Sequence, residues 1–317
     1  MYIGIEIGGT KLQLGLGRGD GHLLGLWRAT VDVVAGGDGI RRQIVAAVPE
    51  LLAKAGVDRG ALRGVGVGFG GPVDDAARSV IKSHQIHGWD GFPLADWLGE
   101  ALGLPVMLGN DADVAALAEA LFGAGKGMSP VFYITIGSGI GGGLVVNGEI
   151  LRGTGQGAAE IGHLKVRDPR TDDGCMETLE NIASGWAIGR YARACVAEDA
   201  AAGARLTALA GRVDAINAET VAAVAACGDL LATRVLGHAR SALADAICAT
   251  IVLVCPRRVV IGGGVSLIGD ELLFAPLRRL IAERVFRPFA GLTDVVPAAL
   301  GEAVVIHGAL ALAHRRL

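Results

Sequence analysis

The chain has 317 residues, 51% hydrophobic, 19% charged and 4% aromatic, with a net charge of −3. Such apolar content excludes an intrinsically disordered chain, and the charge balance argues against the basic face of a nucleic-acid binder. The length suits roughly two domains of about 100–200 residues each. The opening MYIGIEIGGTK has no basic head and no long apolar run, so no secretory signal is expected. The longest apolar stretches, 246–255 and 131–146, fall short of the about 20 clean apolar residues of a membrane span. The 50 glycines are about twice the usual ~7% and follow no triplet period, so they are expected at specific turns. Five scattered cysteines point to a reducing compartment, with Cys248 and Cys255 read as small buried hydrophobes.

Residues 2–7 and 12–16 read as a hairpin around Gly8-Gly9-Thr10-Lys11, with a third strand at 23–31. Helical spacing over 39–55 stops at Gly56. A strand at 65–69 runs into Gly70-Gly71-Pro72, and helix 94–102, strand 106–108 and helix 112–122 follow. The pattern then restarts with strand 131–136, a glycine-rich turn and strand 143–146. Ile5-Glu6-Ile7-Gly8-Gly9-Thr10 echoes Ile134-Thr135-Ile136-Gly137-Ser138-Gly139, which suggests two duplicated α/β units meeting across a cleft. Helices are expected over 182–201, 218–254 with breaks, 270–285 and 301–317. One further strand, 258–261, leads into Gly262-Gly263-Gly264.

Three glycine turns therefore follow three apolar strands: Gly8-Gly9-Thr10-Lys11, residues 137–143, and Gly262-Gly263-Gly264. Each can close a tight turn or cradle a phosphate on backbone N–H groups. The dinucleotide-binding fingerprint fails because the second turn enters a strand rather than a helix, and no Walker motif is present. Asn110-Asp111 lies between a strand and a helix, so either residue can cap that helix. Alternatively, a carboxylate at the C-terminal end of a strand can accept a hydroxyl proton. Glu160-Ile161-Gly162-His163 and Glu180 form a third polar group, in which His163 reads as a surface residue, a buried hydrogen-bonded one or a metal ligand. His84, before Gly88-Trp89, reads as a solvated loop residue or a sugar contact.

Together these motifs resemble the ROK family (repressors, open reading frames and kinases) of bacterial sugar kinases. The matching segments are Gly8-Gly9-Thr10-Lys11, Gly70-Gly71-Pro72-Val73-Asp74, Asn110-Asp111-Ala112, residues 137–143, Glu160–His163, Ala183-Ser184-Gly185 and Gly262-Gly263-Gly264. The resemblance implies an actin-like, ribonuclease-H-like ATPase fold, α/β throughout, with two α/β domains flanking a cleft. One domain is expected at 1–109 plus the helix 301–317, the other at 110–300. It further implies an ATP-dependent hexose kinase, glucose first and N-acetylhexosamines or fructose as alternatives, acting as a homodimer; charge, hydropathy and cysteine usage add the expectation of a cytoplasmic protein with no nucleic-acid or membrane partner. Asp111 would be the general base. Gly71, His84, Asn110, Asp111, Glu160, His163 and Glu180 would contact sugar. Gly8, Gly9, Thr10, Lys11, Thr135, Gly137, Ser138, Gly139 and Gly262 to Gly264 would hold ATP.

Two departures from the family pattern stand out. Glu6 replaces the usual Asp that approaches Mg²⁺, often through water. The family's zinc motif CxCGxxGCxE is missing, leaving only His163 and Cys175 as candidate ligands, and two cannot close a tetrahedral site; no zinc site is expected. Glu177 ends a Gly-Cys-Met-Glu remnant of that motif, but Glu180 keeps the family's spacing to Ser184-Gly185 and is the expected sugar contact. The family's repressors carry a helix-turn-helix extension ahead of the first strand, which makes a sugar-responsive repressor the less expected class; a binding-only pseudokinase is the third.

Overall fold

A computed structural model describes residues 1–74, 76–83, 85–154 and 157–317. The first half contributes β1 (Tyr2–Ile7), β2 (Lys11–Gly17), β3 (Leu23–Thr30), α1 (Gly36–Ala55), β4 (Gly64–Phe69), a short ribbon of β5 (Val73–Asp74) and β6 (Ser79–Val80), α2 (Leu94–Leu102), β7 (Val106–Asn110) and α3 (Asp111–Leu121). Next come β8 (Val131–Ile136), β9 (Ile140–Val146), β10 (Glu149–Ile150) and the hairpin β11 (Lys165–Arg167) and β12 (Met176–Thr178). Helices α4 (Leu179–Ala183), α5 (Gly185–Glu198), α6 (Ala204–Ala210), α7 (Ala218–Ala226) and α8 (Leu230–Val254) precede β13 (Arg258–Gly262), α9 (Ala275–Arg284), β14 (Asp294–Pro297) and α10 (Val304–Arg316).

Two five-stranded sheets organise the chain, ordered β3-β2-β1-β4-β7 and β10-β9-β8-β13-β14. In the first, β1 to β3 are antiparallel neighbours while β1, β4 and β7 run parallel. Register aligns Ile7 with Phe69 and Phe69 with Asn110. The loops after all three parallel strands therefore open at one edge, where α/β sheets place ligands.

The chain divides into two compact units: Met1–Tyr133 with Gly143–Ala159 and Ala298–Leu317, and Ile134–Gly142 with Glu160–Pro297. The divisions fall inside β8, inside β9, after Ala159 and after Pro297, so residues 110–133 lie in the first unit together with the C-terminal helix. Helix α3 belongs with the first unit because α10 packs along it as well as on β1 and β4. That unit's core is the apolar face of β1, β2, β4 and β7 against α1 and α2, including Ile5, Leu14, Ile44, Val67 and Leu98. In the second unit, α8 packs against α4, α5, α7 and α9.

Turns do not hold all the glycines. A Cβ at Gly66 would overlap the Ala309 carbonyl, and one at Gly308 would overlap that of Val114. The glycines let α10 rest directly on strand and helix backbones. Helix α8 is long and apolar enough by length and composition to cross a membrane, and 56% of its apolar window is buried within the protein. Its few charges break up the clean apolar run, which is why the sequence shows no span there. Cys248 and Cys255 are only half-buried, and Cys195, on the inner face of α5, is the buried cysteine. Cys255 ends α8 in the left-handed conformation, at φ +44°.

Candidate active site

In the first unit, the aligned strand ends gather Gly8, Gly70, Gly71, Asn110 and Asp111. Gly70 donates its N–H to Ile7 O at 2.8 Å, and a Cβ on it would lie 3.5 Å from both Asp111 Oδ2 and the Gly8 Cα. The Asn110 side chain caps α3, its Oδ1 accepting from Ala112 N at 2.9 Å and Asp113 N at 3.3 Å, while Nδ2 donates to Gly71 O at 3.0 Å. Of the two capping alternatives, Asn110 therefore takes the cap. Asp111 occupies the first helical position, where Oδ1 accepts from Ala112 N at 2.8 Å and the positive end of the helix dipole favours a carboxylate.

Glu6 is buried on β1. Its Oε2 accepts from Gln13 Nε2 at 2.6 Å, and its Oε1 lies 3.2 Å from Lys11 Nζ. Gln13 stands opposite Glu6 in the β1–β2 register and accepts in turn from Arg28 Nε at 2.7 Å. Burial raises the Glu6 carboxyl above its ordinary range, against the opposing pull of Lys11, Gln13 and Arg28. A second cation at Oε1 would meet the Lys11 ammonium. The donor set thus suits Mg²⁺ held by phosphates and reached through water better than direct ligation by Glu6. Thr10 is exposed, its carbonyl accepting from Val31 N at 3.0 Å, and Gly9 lies under the Gln85 side chain. His84 lies outside the described residues.

In the second unit, the β11–β12 hairpin joins the two ends of the polar group. The ladder Lys165↔Thr178 to Arg167↔Met176 is extended by Leu179 N donating to Leu164 O at 2.9 Å. This sets the Glu160–His163 turn beside α4. Glu160, though exposed as a residue, has its carboxyl pushed up by the surrounding protein and further by the Glu180 charge, with His163 opposing. Glu180 Oε2 accepts from Ile140 N at 2.7 Å. Glu177 instead accepts from Thr178 N at 2.7 Å and Asn181 Nδ2 at 3.1 Å, which lowers its carboxyl. Gly162 has no room for a Cβ because Ile140 O lies against it.

The glycine turns of this unit also meet. Gly137 and Ser138 line a cavity of about 870 Å³ together with Gly264, Trp186, Val265 and Leu272. Gly137 O accepts from Gly185 N at 2.8 Å, fixing the start of α5, which Ser184 caps through Ala187 N at 3.1 Å. Gly263, at φ +83°, packs its backbone against Ile136, Gly262 is buried at the end of β13, and Thr135 is half-buried in β8. Gly139, expected to hold ATP, lies against Glu180, and a Cβ there would run into Glu180 Oε2. The cavity is polar along its glycine rim and apolar over much of its lining, and its size lies within the range of small-molecule sites.

The ROK family model matches residues 2–316. The chain belongs to the ROK family. It is 33% identical to the glucokinase of Thermotoga maritima over 99% of this chain and 98% of that protein. A ROK family glucokinase from Streptomyces griseus, solved with glucose and AMPPNP, matches at a TM-score of 0.80 with 32% identity over 99% of both chains. A ROK family transcriptional regulator, 24% identical, shares the fold at a TM-score of 0.82 over 98% of this chain and 77% of that one. The fold is accordingly the actin-like ATPase fold of ROK proteins, with its two mixed α/β sheets.

Where the ROK zinc motif would lie, this chain has the β11–β12 hairpin closed by an Asp168–Arg170 ion pair at 2.6 Å. Among the described residues, no three His, Cys, Asp or Glu side chains are grouped to hold a metal. Sequence reasoning missed this pair, the Gln13 partner of Glu6, and the cavity walls at Trp186, Asn217 and Leu272. Gln13 was within reach of the sequence, since the predicted hairpin sets it opposite Glu6. The cavity walls come from helices far apart in the chain and left no local signal.

Proposed function

We propose that this ROK protein is an ATP-dependent hexose kinase, transferring the γ-phosphoryl group to a sugar hydroxyl, with glucose O6 the leading acceptor and N-acetylhexosamines or fructose as alternatives. The observation that carries the reading is at Asn110-Asp111. Asn110 caps α3, and the Asp111 carboxylate at the first helical position, with Oδ1 on Ala112 N, stands beside Gly70 at the edge where three parallel strands end. The full-length similarity to glucokinases supports it.

A sugar hydroxyl is a poor nucleophile until its proton is accepted as the new oxygen–phosphorus bond forms. Asp111 takes that proton, the γ-phosphoryl bond to ADP breaks, and ADP leaves with the β-phosphate oxygen carrying the released electron pair. Phosphoryl transfer otherwise needs alignment and charge neutralisation. Glu160, His163 and Glu180 hold sugar hydroxyls, with Asn110 offering its remaining amide proton. Gly137, Ser138 and Gly264 receive ATP, with the apolar walls at Val265 and Leu272 taking the base. Lys11, its ammonium partly exposed, faces phosphate charge. When bound with ATP, Mg²⁺ supplies neutralisation of the phosphate oxygens. We assign the reaction to the cytoplasm, where ATP is available, and the working form to a homodimer.

An ADP-release screen over a dozen hexoses with ATP and Mg²⁺ tests the reading. Sugar-dependent ADP release, with glucose among the best acceptors, is expected. Sugar binding without ADP release would instead make the protein a binding-only member of the family.

A further inference from the structure

The hairpin from His163 to Glu180 is closed at its tip by a side chain that reaches back to the helix carrying Glu180. Arg170 grips Asp168 with its fork, Nε to Oδ1 at 2.8 Å and Nη2 to Oδ2 at 2.6 Å, and its own backbone N–H donates to Oδ1 at 2.9 Å. Asp168 is 6% exposed, and its N–H donates to Cys175 O at 2.8 Å, closing the loop. The remaining arm, Nη1, donates to Asn181 O at 3.0 Å, one residue beyond Glu180, and Arg190 Nη2 donates to the same carbonyl at 3.0 Å. The Arg170 guanidinium also lies 5.7 Å from the Tyr191 ring on α5.

Helix α4 has five residues, too few to hold its orientation by its own hydrogen bonds. A carbonyl near its C-terminal end is left without a helical partner and takes two arginine donors instead. Glu180 sits on this short helix, and its carboxylate reaches Ile140 N at 2.7 Å. A small rotation of α4 would move that carboxylate away from the Glu160–His163 turn.

We propose that Arg170, locked by Asp168, is a positioning residue for Glu180, an inference that rests on the proposed role of Glu180 in holding the sugar. A planar fork suits this task because Asp168 fixes its plane while the third donor points at Asn181 O. Lysine carries the charge but cannot make both contacts in fixed geometry.

The test uses Arg170→Lys, which keeps the charge beside buried Asp168, with Asp168→Asn as a second variant should the first fold poorly. For either variant, KM for the sugar should rise about 10–100-fold, the scale of a roughly 1 Å misplacement, while kcat stays within about threefold and KM for ATP is unchanged. The Ile140 amide should exchange its hydrogen about tenfold faster or more, because its Glu180 partner is released. In a Glu180→Gln background, Arg170→Lys should add nothing to the sugar KM, as expected for residues acting as one unit. An unchanged sugar KM and Ile140 exchange rate would overturn the proposal, as would an equal KM rise in the Glu180→Gln background. If the wild type transfers phosphate to no hexose, the kinase reading fails by itself. Ile140 exchange then decides whether Arg170 positions Glu180.

Discussion

Asn110 and Asp111 are neighbours in the chain with separable tasks. Asn110→Ala removes two accepted N–H bonds at the start of α3 and the tie to Gly71, so stability should fall by about 0.5–2 kcal/mol, read by chemical denaturation. Glu160 tests electrostatics at the same scale. Its carboxyl is raised, so between the ordinary glutamate range and the raised value the folded chain holds more proton than the unfolded one. That contribution to stability is present at low pH and is lost as pH rises through this window. Glu160→Gln should flatten the dependence of Tm on pH there, while raising the sugar KM by ~10–100-fold, the value of one charge-assisted hydrogen bond. An unaltered Tm profile would contradict the assigned crowding of this carboxylate. Single residues were most legible where a type signals its own backbone role, as with Asn at a helix start. The Arg170 fork was illegible because its reach to Asn181 O is set by tertiary structure.

At the scale of elements, the long periodic segments were readable and the short polar ones were not. The predicted helix over 39–55 starts three residues earlier, at Gly36, and ends before Gly56 at φ +63°, as the glycine signals. The predicted helix over 182–201 is instead two, α4 and α5, broken at Ser184, whose side chain caps the second. Strand β14 has four residues and ends in proline, and the β11–β12 hairpin is largely polar, so neither shows the alternation that marks a strand. The Gly137–Gly139 turn joins elements that sequence reading kept apart, because Glu180 packs on it. Gly139→Ala should therefore displace Glu180 and raise the sugar KM about tenfold or more, with a smaller change in KM for ATP. Steady-state kinetics in each substrate distinguishes this from a loss of nucleotide binding alone, which would contradict the contact.

For the whole molecule, two α/β units were legible because glycine turns after apolar strands recur in order along the chain, and the actin-like fold class through the ROK resemblance that those motifs carry. The place of α3 was not, since its packing against α10, which also rests on β1 and β4, is a long-range choice made possible by Gly66 and Gly308. The Asp168–Arg170 ion pair ties the hairpin where the family's zinc motif would lie. Purified protein should accordingly contain no stoichiometric zinc by elemental analysis, and chelators should leave its Tm unchanged; one zinc per chain would contradict this. The central claim is that Asp111 accepts the hydroxyl proton during phosphoryl transfer, and Asp111→Asn tests it most directly because size is kept and the base is removed. With kcat, ATP affinity and Tm measured on one preparation, kcat should fall by about 10²–10⁴-fold while ATP binding and Tm stay near wild type. Turnover near that of the wild type would contradict the general-base assignment.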